Sequence, residues 1–119
     1  MAQVKWSDVL QTETEAISNK RSQDEIFDRY VKHCRGRFAM ADWGDVTELS
    51  QRDNDVDFRA LNEGKFGRIL AAYKSFKIAG SRYPSGKTTA VPMPTIWIVR
   101  AIVDYTGRQA ITVMFPEDY

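Results

Sequence analysis

Residues 94–119 read PTIWIVRAIVDYTGRQAITVMFPEDY, and this stretch decides the fold. Its first part, residues 96–103, is rich in β-branched and aromatic side chains at successive positions, which is typical of a strand covered on both faces. The pair Thr106 and Gly107 follows as a turn in which glycine can adopt a positive φ. Residues 110–115 then alternate as a second strand. The stretch therefore predicts a β-hairpin whose first strand is central in a sheet.

The segment before this hairpin predicts one more strand and a long connection. Residues 66–76 alternate in polarity, which indicates a strand that pairs with the central one. Residues 78–94 contain two glycines and three prolines, a density that predicts an exposed loop without regular structure. Residues 4–10 form a weaker strand candidate, in which Val4 and Trp6 would point inward.

Two helices are predicted in the first half of the chain. Ser22 and Glu25 match a capping box, and an apolar stripe follows until Gly36, between two arginines, ends the helix. The stripe consists of Ile26, Phe27, Tyr30, Val31 and Cys34. A second helix begins after Thr47 and ends near Gly64. Its buried side would hold Leu49, Val56, Phe58, Ala60 and Leu61.

These elements predict an α+β fold, with two helices packed on a three- to four-stranded antiparallel sheet in a single domain, residues 1–119. Residues 11–21 are polar and predict a surface connection or a loosely helical turn. The hydrophobic residues 96–103 require a cover on the second sheet face, supplied by the N-terminal segment or by a second copy of the chain. A homodimer is therefore one expectation. We also expect all three tryptophans in the core: Trp6, Trp43 and Trp97.

Composition limits the class of protein. The chain has 119 residues, of which 43% are hydrophobic, enough for one core without metal or disulfide staples. The single cysteine, Cys34, excludes an internal disulfide and indicates a reducing compartment. The first residues lack the layout of a signal peptide, and no apolar run approaches the roughly 20 residues of a membrane helix. We therefore expect a cytoplasmic protein without a membrane partner.

Charge is distributed unevenly along the chain. Residues 1–60 carry nine Lys and Arg against twelve Asp and Glu, whereas residues 61–119 carry eight against four. No acidic residue lies between Glu63 and Asp104, so this interval is strongly positive and predicts an acidic partner. We expect the partner contacts at a strand end and along the following loop. The predicted contact residues are Lys74, Lys77, Arg82, Tyr83 and Lys87.

No motif for catalysis, metal or nucleotide binding has the spacing that its chemistry needs. Residues 85–89, SGKTT, resemble the end of a phosphate-binding loop, but the preceding glycine is one residue too distant and no helix follows. His33 and Cys34 project about 100° apart on their helix, which is poor geometry for a base and a nucleophile. The aspartates between residues 42 and 57 are better explained as helix caps and solvated side chains than as metal ligands. We therefore expect no enzyme activity, no cofactor and no metal.

Several short segments lie in order between residues 25 and 119. They are His33, Asp42-Trp43-Gly44-Asp45-Val46, Asn54, Ala60-Leu61, Gly64, Arg68-Ile69-Leu70, Ala72-Tyr73, Ile96-Trp97-Ile98-Val99 and Phe115-Pro116-Glu117-Asp118-Tyr119. In order and spacing they resemble a family of small uncharacterised proteins carried on bacterial plasmids and other mobile elements. Ala41 departs from the pattern, because the family usually has glycine there.

The resemblance implies a genetic setting of plasmid maintenance, antirestriction and anti-CRISPR genes rather than a reaction. It implies an anti-CRISPR-like inhibitor, which binds a host defence nuclease or its protein–RNA complex without catalysis. The alternative is an accessory nucleic-acid-binding or regulatory protein of a plasmid or phage, using the acid-free stretch on phosphates. A hydrolytic site formed by His33 and the aspartates ranks third.

Overall fold

The computed structural model describes residues 4–79 and 88–119, with the backbone alone for residues 77–79 and 88–91. In chain order its helices and strands are β1 (Leu10–Glu13), α1 (Glu15–Gln23), α2 (Glu25–Ala39), α3 (Glu48–Asn62), β2 (Arg68–Ala79), β3 (Thr88–Ile102) and β4 (Gln109–Met114). Short 3-10 turns at Trp6–Asp8 and Pro116–Asp118 flank them. The predicted α+β class is confirmed, with a third helix. None of the described helices is long and apolar enough to cross a membrane.

The strands form one mixed sheet in the order β1-β4-β3-β2. β3 pairs antiparallel with both β2 and β4, so the predicted hairpin and its central first strand are confirmed. The hairpin turn contains Gly107 with a φ of +85°. β1 runs parallel to β4, which corrects the purely antiparallel sheet. The polar sequence of β1 gave no apolar alternation from which this strand could be predicted.

The sheet has a helix-covered face and an open face. Side chains at most 1% exposed lie under the helices: Ile69, Ala71, Tyr73, Ile96, Ile98, Ile111 and Val113. Successive side chains of a strand point to opposite faces, so their neighbours belong to the open face. Several of those neighbours are only partly buried: Leu70, Trp97, Ala101, Thr112 and Met114. The hydrophobic core therefore lies on one side of the sheet.

The N-terminal segment lies on the helix-covered side and does not cover the open face. The N–H of Val4 donates to the carbonyl of Asn62 at the end of α3 over 2.8 Å. Trp6 lies over the guanidinium of Arg100, a residue of the helix-covered face, and is 45% exposed. The predicted strand over residues 4–10 and the predicted burial of Trp6 are therefore wrong. The predicted core position of Trp97 is also wrong, because Trp97 is partly buried on the open face and lies outside the core.

α2 begins later than the capping box predicted. Asp24 caps it, since the carboxylate accepts the N–H of Phe27 at 3.0 Å. Ser22 instead belongs to the last turn of α1, where its hydroxyl donates to the carbonyl of Asn19. Of the two alternatives predicted for residues 11–21, the helical turn is closer, because α1 occupies Glu15–Gln23; its regular length was not evident, since α1 buries only Ile17 and shows no apolar stripe.

α2 also ends later than predicted, because its terminal residue in the left-handed conformation is not glycine. The N–H of Asp42 donates to the carbonyl of Arg37 (2.9 Å), and the N–H of Ala41 donates to the carbonyl of Phe38 (3.1 Å). This pair of bonds is a Schellman motif, which usually has glycine at the position with positive φ. Ala41 occupies that position with a φ of +60°, while Gly36 lies inside the helix.

α3 has the predicted ends, since Thr47 caps it and Gly64 follows it with a φ of +75°. Its buried side is different, because the buried residues are Asn54 and Leu61. Three side chains predicted as buried in the two helices are at least half exposed: Ile26 (50%), Leu49 (68%) and Val56 (64%).

β2 and β3 extend into the segment predicted as a loop. They remain paired as far as Ala79 and Thr88. Pro92 and Pro94 lie within β3, beside the shift of register that follows Tyr73. A bulge tolerates proline because the ladder of backbone hydrogen bonds is interrupted there, so the proline content did not exclude a strand.

Candidate functional site

Residues 42–45 close the outer edge of β2. The N–H of Asp45 donates to the carbonyl of Ala72 (2.7 Å), and the N–H of Ala72 donates to the carbonyl of Trp43 (3.2 Å). The N–H of Lys74 donates to the carboxylate of Asp45 at 3.0 Å. Backbone groups on an open sheet edge invite pairing with other chains. This segment is therefore part of the scaffold.

Asn54 of α3 covers the next position along the same edge. Its amide nitrogen donates to the carbonyl of Leu70 at 2.9 Å, and its amide oxygen accepts the N–H of Leu70 at 3.3 Å. Asn54 therefore replaces both hydrogen bonds that a neighbouring strand would supply, which explains why a polar residue is buried in α3.

Trp43 packs between the helices and the sheet, which confirms its predicted place in the core. It is 3% exposed, and its ring meets Phe38 and Phe58 edge-on at centroid distances of 5.2 and 5.7 Å. Its indole N–H donates to the carboxylate of Asp55 at 2.9 Å.

Gly44 is the one residue of this segment whose lack of a side chain is required. Its φ is +76°, and a Cβ there would lie 2.2 Å from the carbonyl oxygen of Ala72 and 2.6 Å from the ring of Tyr73. The close approach to β2 therefore depends on glycine.

Two hollows meet beside residues 42–45 and share His33, Arg37 and Asp42. Their volumes are about 380 and 430 Å³. We call their combined lining the α2 surface; it consists of His33, Gly36, Arg37, Met40, Asp42, Asp45 and Ser75. α2 supplies His33, Gly36 and Arg37, and its C-cap is Met40; the spacings of three and four place all of them on one face of the helix.

The charged groups of the α2 surface are tied to one another. Arg37 donates from Nε and Nη2 to the two carboxylate oxygens of Asp42, at 2.7 and 3.1 Å, and Gly44 adds an N–H bond at 3.1 Å. The hydrogen bonds from Arg37 lower the pKa of Asp42, and those to Asp42 raise the pKa of Arg37. Because Asp45 also accepts a backbone N–H, both carboxylates hold the scaffold in place.

Cys34 and His33 do not form a catalytic pair. Cys34 is fully buried in the core, whereas His33 is exposed and its ring lies 5.3 Å from that of Phe76. Burial raises the pKa of the Cys34 thiol to about 12, so the thiol is protonated at neutral pH. Among residues 4–79 and 88–119, no group of three His, Cys, Asp or Glu side chains has an arrangement that could hold a metal ion.

The structure places one of the five predicted contact residues. Lys74 is exposed on β2, directly before Ser75 of the α2 surface. For Lys77 the structure describes the backbone only. Arg82, Tyr83 and Lys87 lie outside the described residues. The sequence prediction did not include Gly36 and Met40 in a site, because it ended the helix at Gly36. A helix continued to Ala39 places both residues on the face that contains His33.

Comparison of the chain with protein-family models, with curated proteins and with solved structures finds no match. The resemblance to proteins of mobile elements therefore stays a prediction.

Proposed function

We propose that this protein binds another protein through the α2 surface and acts as an anti-CRISPR-like inhibitor of a host defence nuclease or its protein–RNA complex. The supporting observation is an exposed methionine beside a bare stretch of helix. Met40 is 84% exposed, and apart from the neighbouring residues and backbone of the helix itself no described atom lies within 4 Å of the position that a Cβ on Gly36 would take. A flexible methionine adapts to a partner surface, and glycine lets a partner approach the helix backbone closely.

Folding alone does not favour glycine at position 36. Glycine inside a helix costs about 0.5–1 kcal/mol relative to alanine, and the space beside Gly36 would accept a methyl group. A partner that packs closely against the backbone of α2 would explain why glycine, rather than alanine, occupies this position.

The surroundings of Met40 favour binding over catalysis. Arg37, Asp42 and Asp45 form a polar margin around an apolar centre, which is the usual organisation of a protein interface. Their hydrogen bonds hold this margin rigid, which reduces the entropy lost on binding. The same bonds occupy the carboxylates that a hydrolytic mechanism would need.

The class of partner follows from the resemblance of the sequence to proteins of mobile elements. A small protein from that setting, whose surface is rigid and whose carboxylates are hydrogen-bonded within the fold, can inhibit a nuclease complex by covering part of its surface. Lys74 lies beside Ser75 at the same margin and would contribute a cation to the contact with a nuclease complex.

Affinity capture of the tagged protein from a bacterial lysate, with and without nuclease treatment, tests the proposal. We expect a protein partner that survives nuclease treatment and is lost with Met40→Glu or Gly36→Glu. Leu49→Glu is the matched control, because Leu49 is a similarly exposed apolar residue on α3. Thermal unfolding of each variant establishes that the fold is intact. Equal capture by all three variants would show that the α2 surface is not the interface.

A phage plating assay tests inhibition directly. In a host with an active defence nuclease, we expect the wild-type protein and Leu49→Glu to raise plating at least tenfold, and Met40→Glu to have no effect. A partner that is lost on nuclease treatment would instead favour the alternative function, an accessory nucleic-acid-binding protein.

A further inference from the structure

Three planar side chains form a row on the open face of the sheet. The guanidinium carbon of Arg68 lies 4.6 Å from the ring centroid of Tyr119. The ring of Tyr119 in turn lies 5.6 Å from that of Trp97, with the two planes at 70°. We call this row the aromatic stack. It lies on the other side of the sheet from the α2 surface.

The stack is built on rigid elements. Trp97 lies on the central strand β3, opposite Met114 of β4, and the turn at Pro116–Asp118 brings Tyr119 back over β3. The carboxylate of Asp118 fixes this turn by accepting the Thr14 hydroxyl at 3.0 Å. Tyr119 nevertheless remains 61% exposed. An exposed aromatic ring held in one orientation is suited to stack against another planar group.

A hollow of about 700 Å³ adjoins the stack at Trp97. Its lining consists of Lys20, Pro94, Thr95, Trp97, Phe115, Pro116 and Glu117. Flat apolar rings therefore form much of the lining, and the volume lies in the range of sites for small organic groups. A single nucleobase fits such a space.

Strands β2, β3 and β4 carry positive charge only. β2, β3 and β4 contain no Asp or Glu, and the charged open-face residues of β2 are Arg68 and Lys74. Both are exposed. Carboxylates lie at the margins of this face: Glu117 beside Trp97, Asp118 before Tyr119, Asp45 at the backbone of Lys74, and Asp53 and Asp57 of α3 near Arg68. Glu13 of β1 pairs with Arg21 and Arg35 of the helices.

We propose that the open face binds single-stranded nucleic acid. The bases stack on Trp97 and Tyr119, and Arg68 and Lys74 attract the phosphates. Unpaired strands are the appropriate ligand because their bases expose both π-faces, whereas bases in a duplex stack on one another. This inference does not rest on the proposed protein-binding function, because Trp97, Tyr119 and Arg68 do not belong to the α2 surface; Lys74, on the edge strand β2, is the one residue that both proposals use.

Charge favours this occupant over a second copy of the chain. Two copies packed by their open faces would bring the Arg68 and Lys74 side chains of both into one interface, and strands β2, β3 and β4 carry no carboxylate to balance them. A nucleic acid supplies one negative charge per nucleotide and releases counterions on binding.

Fluorescence anisotropy with labelled 15-nucleotide oligo-dT and oligo-rU at low salt tests the proposal. We expect binding of at least one of them, weakened tenfold or more by Trp97→Leu and by Tyr119→Leu, with a smaller loss for Arg68→Gln. Tyr105→Leu is the matched control, because Tyr105 is a fully exposed tyrosine outside the stack. The two oligonucleotides distinguish DNA from RNA as the preferred strand.

Glu117→Gln tests whether the charge of the open face, and not only its fold, determines the affinity for the strand. Removing this carboxylate should tighten binding of the strand and increase the dependence of affinity on salt. Three outcomes would each overturn the proposal: no binding of either strand, equal weakening by Tyr105→Leu and Trp97→Leu, or a concentration-dependent dimer in sedimentation that Trp97→Leu abolishes. Circular dichroism of each variant separates loss of binding from loss of fold.

Discussion

Arg100 of β3 donates from Nε to the side-chain oxygen of Gln109 on β4 at 2.9 Å, and Gln109 donates to the carbonyl of Leu61 in α3 at 2.6 Å. Arg100 is 1% exposed, and its guanidinium lies 5.7 and 5.9 Å from the rings of Trp6 and Phe58. Its Nη1 has no hydrogen-bond partner among the described residues, and burial lowers its pKa. The charge is therefore held by one amide and two aromatic faces, and the end of α3 holds that amide in place.

Gln109→Leu should lower the free energy of unfolding by about 2–3 kcal/mol, because the buried guanidinium loses its hydrogen-bond acceptor. Adding Arg100→Met to that variant should recover at least half of the loss, since an apolar side chain of similar length removes the unpaired charge. Urea unfolding of both variants measures this. A double variant less stable than Gln109→Leu would show that Arg100 stabilises the fold by other contacts.

The hairpin and the ends of α3 could be predicted because their signals are local. Gly107 and Gly64 mark positions with positive φ, and Thr47 is a cap that precedes its helix directly. Arg100 could not be placed in this way. Its environment depends on Gln109 and Leu61, which only the assembled sheet and helices bring together.

The candidate surfaces were harder to predict than the fold. The α2 surface depends on the true end of α2, and that end is hidden because Ala41 adopts the conformation of a glycine. The aromatic stack depends on a reversal of the chain after β4, which places Tyr119 over Trp97. Neither relationship leaves a periodic pattern in the sequence.

Ala41→Gly should raise the free energy of unfolding by about 0.5–1 kcal/mol. Glycine adopts the left-handed conformation without the steric penalty that alanine pays, although it loses more backbone entropy on folding. Thermal unfolding measures the change. Ala39→Gly, two residues earlier and inside the helix, is the control and should lower stability by up to about 1 kcal/mol. The same sign for both variants would contradict the left-handed position of Ala41.

Asp42 should make stability depend on pH in the acid range. Its hydrogen bonds to Arg37 hold the pKa of Asp42 below the value of about 3.9 that it has in an unfolded chain. The stabilisation is therefore complete above that unfolded pKa and is lost as the pH falls through the lower, folded pKa. Urea unfolding between pH 6 and pH 2.5 should show a steeper loss for the wild type than for Asp42→Asn. Parallel curves would mean that the ion pair contributes nothing to stability.

Trp43→Ala should lower the free energy of unfolding by about 3–5 kcal/mol, because it leaves a cavity between α2, α3 and β2. The change also removes the partner of the Asp55 carboxylate. Trp43→Phe should lower the free energy of unfolding by less, since it keeps most of the ring contacts with Phe38 and Phe58. If Trp43→Ala keeps the wild-type melting temperature and instead loses a binding partner, the residue is a contact and not part of the scaffold.

Asn54→Leu should both destabilise the protein and expose the edge of β2. Leucine has the same branched shape as asparagine but cannot bond the N–H and carbonyl of Leu70, and leaving such groups unpaired costs about 1–3 kcal/mol. The opened edge then offers its backbone to a second chain, so concentration-dependent association should accompany the loss of stability. Asn54→Asp separates the two hydrogen bonds, because its carboxylate still accepts the N–H of Leu70 but cannot donate to the carbonyl. We therefore expect Asn54→Asp to be intermediate in urea unfolding and in sedimentation; if Asn54→Leu is as stable as the wild type and sediments identically, water replaces Asn54 at this edge without loss.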